Sequence, residues 1–292
     1  SKLFRMAPRK KDAHGVQEVL RGGEVLRFKS PAEFFSENKN IAGFDNVGKS
    51  LYTTLRELVE NALDACESIR ALPDIDIRLE EFDTAALHQF MGVETHERLD
   101  QELFEAARSP SAKKRAKADA GEAAKAKKSD ALFYRVTVKD NGCGMQHENI
   151  ADMLGRVLAG SKYGVRQTRG KFGLGAKMAL IWSKQSTGCP VQVRSATSAN
   201  SMVSECVLDI DIQKNEPRVQ KLERVANVAG IRGTEITLVV GGSWASYRSY
   251  IVRYLRQLAI ITPYARFALT VSSLSERNAL GLEYARRSDE MP

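Results

Sequence analysis

The sequence has few cysteines and no long apolar run, and each absence removes a class of protein. Its four cysteines are scattered singly, without a Cys-x-x-Cys pair, so neither a zinc site nor a disulfide framework is predicted. No apolar stretch approaches the roughly 20 residues that cross a bilayer, and the basic N-terminal segment does not resemble a signal peptide. We therefore expect a soluble protein of a reducing compartment, the cytosol or the nucleus.

Positive charge is in excess, and part of it is concentrated in one segment. The formal net charge is +8, which favours an anionic partner, with nucleic acid the first candidate. Residues 109–130 read SPSAKKRAKADAGEAAKAKKSD and contain almost no core-forming side chains. We predict a solvated, basic, low-complexity insertion there. It could be a nuclear-import signal, a DNA tether or simply a tolerated surface insertion.

A strong amphipathic helix is predicted between Ser50 and Arg70, ended by Pro73. Apolar residues recur there at helical spacing, and polar residues occupy the opposite face. Glu57 and Asn61 are four residues apart and therefore share a face. The Glu57 carboxylate can polarise a water molecule, while the Asn61 side chain offers a hard oxygen to Mg²⁺. For this pair alone, a solvated polar face is the plainer explanation.

A strand followed by a glycine-bearing turn supplies a second candidate element. The strand FYRVTVK stops at Asp140, which is followed by Gly142 and Gly144. The Asp140 carboxylate can accept a hydrogen bond from an exocyclic amine, and the glycines would let an adenine ring approach the backbone. A hairpin turn is the alternative interpretation of this motif.

The third element is a glycine-rich segment that opens directly into an apolar helix. Gly170, Gly173 and Gly175 precede that helix, so its free N–H groups and positive end can face phosphates. Lys171 and Lys177 would add positive charge. A flexible linker fits this position poorly, because a core helix follows immediately.

A competing phosphate-binding pattern, GxxxxGK[ST], runs from Gly43 to Ser50. A working P-loop needs a buried strand immediately upstream, and the polar residues SENKNIA do not predict one. We expect this match to be accidental.

Helices and strands are mixed along the chain without strict βαβ alternation, which favours an α+β layered sandwich over a doubly wound parallel sheet. Predicted strands and the last long helix are IDIRLEEF, FYRVTVK, VQVRSA, SECVLDIDI, TEITLVV, ARFALTVSS and WASYRSYIVRYLRQLAII.

Together, the three separated elements resemble the Bergerat fold of the GHKL ATPases, the fold shared by gyrase, Hsp90, MutL and histidine kinases. More narrowly, SPAEFFSENKNIAGFDNVGKSLYTTLRELVENALDACE, LAGSKYGVRQTRGKFGLGAKMALIWS and GTEITL closely resemble the B subunits of topoisomerase VI in plants and algae. The resemblance covers most of residues 30–275, with the basic insertion as the main departure. It implies a two-layer α/β sandwich with a mixed, mostly antiparallel sheet.

The resemblance also implies roles for individual residues, with ATP and Mg²⁺ as cofactors. Glu57 would be the general base, Asn61 would hold Mg²⁺ and contact the nucleotide, and Asp140 would read the adenine. The other nucleotide-binding positions it implies are Gly142, Gly144, Ser161, Lys162, Gly170, Lys171, Phe172, Gly173, Leu174, Gly175, Ala176, Lys177 and Thr234.

The family's activity implies partners and a domain plan. B subunits form an ATP-gated homodimer that passes double-stranded DNA, a separate A-type subunit cleaves the DNA, and no membrane is involved. We expect a nuclear protein with an N-terminal arm at 1–40 that could exchange between dimer partners, an ATPase domain at 41–275 and a linker at 276–292. In the family a downstream domain supplies a lysine to the γ-phosphate, so this chain should bind ATP well and hydrolyse it poorly.

Other functions stay open. A histidine kinase would need a phosphoacceptor helix, which the four histidines do not suggest. MutL-like or Hsp90-like ATPases share the same pocket. A non-catalytic scaffold of a meiotic DNA-break complex is a further alternative, although the presence of Glu57 and Asn61 argues against it.

Overall fold

The structure is a computed structural model that describes residues 18–19, 25–26, 29–92, 132–159, 169 and 174–292. Its α-helices are α1 (Pro31–Glu37), α2 (Val47–Glu67), α3 (Thr84–Phe90), α4 (Ile150–Gly155), α5 (Gly175–Thr187) and α6 (Trp244–Ile261). Its strands are β1 (Glu18–Val19), β2 (Val25–Leu26), β3 (Asp74–Phe82), β4 (Phe133–Lys139), β5 (Val191–Ala196), β6 (Val203–Asp211), β7 (Glu216–Val225), β8 (Gly233–Gly241), β9 (Arg266–Ser272) and β10 (Leu280–Tyr284). Short 3₁₀ turns lie at Lys39–Ala42, His147–Asn149 and Glu276–Asn278.

Eight strands form one sheet in the order β10-β9-β3-β4-β8-β5-β6-β7, and β1 pairs separately with β2. Within the large sheet, β3 and β9 are parallel and the other neighbouring pairs are antiparallel. Helices α2 and α5 pack on each other and on β8, which gives a helical layer against the sheet. The predicted mixed, mostly antiparallel α/β sandwich is confirmed.

Helix α2 is the element that positions the site, and its sequence explains its placement. The Asn46 side chain caps it by accepting a hydrogen bond from the Lys49 N–H at 3.2 Å. Leu51, Leu55 and Leu58 recur on one face and are buried. Burying each leucine contributes about 1.5–3 kcal/mol, which fixes that face against the sheet and turns the opposite face outward. The helix begins three residues before the predicted start and ends at Glu67, well before Pro73.

The structure places regular elements in both segments that were expected to lie outside the ATPase domain. Residues 276–292, expected to be a linker, contain β10, which pairs with β9, so the sheet extends beyond residue 275. Within the expected arm, α1 packs on its own chain. Ala32 is fully buried, and the Ser30 hydroxyl donates to the Ile212 carbonyl at 2.7 Å. The insertion at 109–130 lies outside the described residues.

A buried polar network joins β3, β4 and the start of α6. The Tyr134 hydroxyl donates to Glu81 Oε1 at 2.6 Å and accepts from the Trp244 N–H at 3.0 Å. The second Glu81 oxygen accepts from the Leu274 N–H at 3.0 Å. Burial, together with the Glu81 hydrogen bond, raises the pKa of Tyr134. One hydroxyl therefore satisfies two buried groups at once.

We expect Tyr134→Phe to lower the free energy of unfolding by about 1–3 kcal/mol, because it leaves two buried polar groups without their partner. Urea denaturation measures this value. Tyr250→Phe is the control, since Tyr250 is 56% exposed and its change should stay within about 0.5 kcal/mol. Equal stability of both variants would show that the network contributes nothing.

Candidate functional site

Glu57 and Asn61 lie one turn apart on α2, at the point where α2 meets the start of α5. The Glu57 side chain is 17% exposed, and its Oε1 accepts a hydrogen bond from Arg56 Nη2 at 2.5 Å. Its Oε2 lies against Gly175, where an added Cβ would come within 1.6 Å of that oxygen. Only glycine at 175 is compatible with this position of the carboxylate.

The contact places a carboxylate at the N-terminal end of α5. Gly175 is the first residue of that helix, and Leu174 provides no side-chain cap. The first N–H groups of a helix lack intrahelical partners and carry partial positive charge, so they attract anions. A carboxylate and a helix end of the kind that attracts anions are therefore neighbours. Leu174 and Ala176 are half-buried and pack against the core.

Asp140 lies at the end of β4, and the loop that follows it packs against α2, where the Cys143 N–H donates to the Ala65 carbonyl at 3.2 Å. Asp140 is 8% exposed, and its Oδ1 accepts hydrogen bonds from the N–H groups of Gly142 at 2.8 Å and Thr234 at 3.2 Å. Its own N–H donates to the Thr234 carbonyl at 2.9 Å. Among the described residues none donates to Oδ2. Burial raises the pKa of Asp140 to about 6, against the lowering effect of those two backbone bonds.

Thr234 is held in turn by a hydroxyl network. The Ser195 hydroxyl lies 3.0 Å from the Thr234 hydroxyl and accepts from the Met145 N–H at 2.8 Å. Strand pairing sets this arrangement, since Ser195 lies directly opposite Thr234 between β5 and β8. The structure thus brings Thr234 to Asp140 through its backbone and ties both to the loop that follows β4.

The two glycines after Asp140 have a structural cause that differs from the expected one. We expected them to make room for an adenine ring. An added Cβ at Gly142 would lie 2.7 Å from the Ala65 carbonyl carbon of α2, and one at Gly144 would lie 2.3 Å from the Ala196 oxygen. Gly144 also has φ +66°, which favours glycine. Close packing against α2 and β5 accounts for both positions.

Lys177 is also placed differently from the expectation of a cation facing phosphates. It is 2% exposed, and its ammonium group donates to the Ala159 carbonyl. Burial lowers the pKa of Lys177 to about 8. The structure therefore shows a buried cation bound to backbone, and a phosphate contact by Lys177 stays a prediction. The expected site residues Ser161, Lys162, Gly170, Lys171, Phe172 and Gly173 lie outside the described residues.

The sequence did not predict an ion-pair network formed by Arg169, the residue that precedes the glycine-rich segment. Arg169 Nη1 lies 3.3 Å from Asp64 Oδ1 and 2.7 Å from Glu67 Oε2, and Nη2 lies 2.9 Å from Glu67 Oε1. Asp64 and Glu67 follow Asn61 along α2. Arg169 is 105 residues away from Asp64 in sequence, so no local pattern pairs them.

Residues 116–231 match the family described as "Histidine kinase-, DNA gyrase B-, and HSP90-like ATPase". Those residues include Asp140, the start of α5 and Lys177. Together with the sheet and the site described above, this match defines the chain as carrying an ATPase domain of the GHKL class.

Curated relatives narrow that class. The chain is 50% identical to the B subunit of DNA topoisomerase 6 from Oryza sativa subsp. japonica, over 92% of its own length and 41% of that protein. The corresponding Arabidopsis thaliana protein is 48% identical over 91% of this chain and 43% of that protein. The B subunit of a type 2 DNA topoisomerase 6 from Saccharolobus islandicus is 34% identical over 82% of this chain and 36% of that protein. The chain is therefore similar to topoisomerase 6 B subunits over most of its own length, and it spans less than half the length of these relatives.

Proposed function

We propose that this chain binds ATP with Mg²⁺ and hydrolyses it as the ATPase part of a type IIB topoisomerase B subunit. The observation that carries the proposal is the contact of Glu57 with Gly175. It places a carboxylate one turn from Asn61 and directly at a helix end suited to phosphate. Asp140 Oδ2, to which no described residue donates, offers an acceptor for the adenine amine.

In this account the chain works by positioning groups around the phosphates. The first N–H groups of α5 stabilise negative charge on the transferred phosphoryl group. Glu57 orients the attacking water and accepts its proton. Arg56 holds Glu57 Oε1 at 2.5 Å, which limits the rotation of the carboxylate.

The residues present fit a magnesium ion of the kind that nucleotides carry. Among the described residues, no three His, Cys, Asp or Glu side chains form a metal cluster. Mg²⁺ at phosphate sites takes one or two protein oxygens and completes its shell with phosphates and water. The half-buried amide of Asn61 can supply such an oxygen. When bound, Mg²⁺ supplies charge neutralisation at the phosphates.

The names of the relatives support a wider role. As in the family, ATP would close a homodimer of B subunits around double-stranded DNA, and a separate A-type subunit would cleave the DNA. A protein with this activity in a plant-like cell would work in the nucleus. None of the helices in the described part of the chain has the length and apolarity needed to cross a bilayer.

Calorimetric titration with a non-hydrolysable ATP analogue, with and without Mg²⁺, tests the proposal and also the competing P-loop pattern. Lys49 Nζ pairs with Asp45 at 3.2 Å, and a 3₁₀ turn rather than a strand precedes this pattern. We therefore expect Lys49→Ala to change the dissociation constant less than about twofold, since an exposed ion pair contributes little. A loss of tenfold or more in the Lys49 variant would favour the P-loop instead.

A further inference from the structure

The outer face of α6 carries positive charge and hydrogen-bond donors without any carboxylate. The helix sequence WASYRSYIVRYLRQLAII contains three arginines and no acidic residue. Trp244, Ile251 and Leu255 are buried on its inner side. We define the outer face as the exposed side chains of Ser249, Tyr250, Arg253, Arg256 and Gln257.

The two arginines of this face differ from many other arginines of the protein. Several arginines of the sheet lie beside carboxylates, which compensate their charge locally. The pairs and their N···O distances are Arg135–Glu80 at 2.6 Å, Arg194–Glu205 at 3.1 Å and Arg266–Asp76 at 3.0 Å. Within the part of the chain that the structure describes, no carboxylate lies within ion-pair distance of Arg253 or Arg256. Their charge is therefore available to a partner.

The chemistry of the outer face fits a phosphate backbone. Arginine, serine, tyrosine and glutamine are among the side chains that contact phosphate oxygens in protein–DNA complexes. From Ser249 to Gln257 the face extends about 12 Å along the helix axis, which is long enough to meet several phosphates. Its C-terminal boundary is apolar, since Ile260 and Ile261 are 59% and 69% exposed.

We propose that the outer face of α6 binds the phosphate backbone of duplex DNA. This inference rests on the proposed function in one respect, namely that the protein acts on DNA. The binding is electrostatic and independent of base sequence, because phosphate contacts carry no direct sequence information.

The test compares two double variants that lose the same charge. R253S/R256S removes the arginines of the outer face, and R78S/R218S removes two exposed arginines on β3 and β7. Binding of a labelled duplex of about 30 base pairs is measured by fluorescence anisotropy at several salt concentrations. We expect R253S/R256S to bind about tenfold more weakly and to reduce the slope of log affinity against log salt by about two. R78S/R218S should bind like the parent chain.

The proposal is overturned if R253S/R256S binds DNA like the parent chain, or if both variants weaken equally, since net charge alone would then explain binding. Arginine-to-lysine exchange provides a folding check, and R253K/R256K should retain most of the affinity. Competition with polyglutamate separates DNA from an acidic protein. If polyglutamate displaces DNA at equal charge concentration, the face is an acidic-protein site and the proposal fails. Failure of ATP-analogue binding in the parent chain would instead contradict the proposed function.

Discussion

Replacing Glu57 with glutamine should lower the rate of ATP hydrolysis by about 100-fold to 10,000-fold, the range associated with loss of a general base. The amide keeps the shape of the side chain but cannot accept the proton of the attacking water. Nucleotide affinity should change little, because Glu57 acts on the water rather than on the nucleotide. A single-turnover assay measures hydrolysis, and calorimetry with a non-hydrolysable analogue measures binding.

Glu60→Gln is the matched control, since Glu60 is a partly buried glutamate of the same helix, 3.9 Å from Arg56. Burial, with the Glu57 charge, raises the pKa of Glu60. Glu60 lies near Tyr254 of α6. Burial raises the pKa of Tyr254, and the negative charge of Glu60 raises it further. We expect less than about a threefold change in its hydrolysis rate, well below the loss of a general base. Equal losses in the Glu57 and Glu60 variants would contradict the assignment of the base.

The second large effect is expected at Asp140. Asp140→Asn should weaken ATP binding by about 1–3 kcal/mol, roughly five- to 150-fold in affinity. The reason lies in the fixed position of Oδ1, which accepts from the N–H groups of Gly142 and Thr234. An asparagine must keep its oxygen there, so its amide nitrogen takes the place of Oδ2. That nitrogen is a donor and would face the donating amine of adenine. Calorimetric titration of parent and variant measures the difference.

The same residue gives ATP binding a pH dependence. Because burial raises the pKa of Asp140 to about 6, the carboxyl group gains a proton as pH falls through 6 and loses an acceptor site. We expect the affinity of the parent chain to fall there, while the affinity of Asp140→Asn stays flat across that range. Because the pKa of Asp140 is raised in the folded chain, protonation of its carboxylate stabilises the folded state. Unfolding caused by this group therefore cannot explain a loss of ATP affinity at low pH. If the parent chain binds the ATP analogue as tightly at pH 5 as it does above pH 6, the role of Asp140 is contradicted.

Much of the fold could be predicted because its inner elements follow clear periodicity. FYRVTVK alternates in sequence and forms β4 over the predicted residues, Phe133–Lys139, with Tyr134, Val136 and Val138 buried. The last long helix also has the predicted bounds, Trp244–Ile261. In contrast, β7 was not predicted, because most of its side chains are exposed at the edge of the sheet and show no regular alternation. The other edge strand, β10, was also missed; its side chains alternate, but it is only five residues long.

The parts of the candidate site could be recognised in the sequence, but the tertiary contacts between them could not. Local patterns marked the α2 pair, the strand end at Asp140 and the glycines before α5. The Thr234 bond to Asp140 joins residues 94 positions apart, and the Arg169 pairs join more distant ones, so only the tertiary structure reveals them. The buried position of Lys177 likewise depends on the carbonyl of Ala159, which a motif does not encode.

A crystal structure of the chain with Mg²⁺ and a non-hydrolysable ATP analogue tests the central claim most directly. We predict the adenine amine at Asp140 Oδ2, the metal at the Asn61 amide oxygen, and the γ-phosphate between Glu57 and the first turn of α5. A nucleotide bound beside Lys49, or one whose adenine makes no contact with Asp140, would contradict the account.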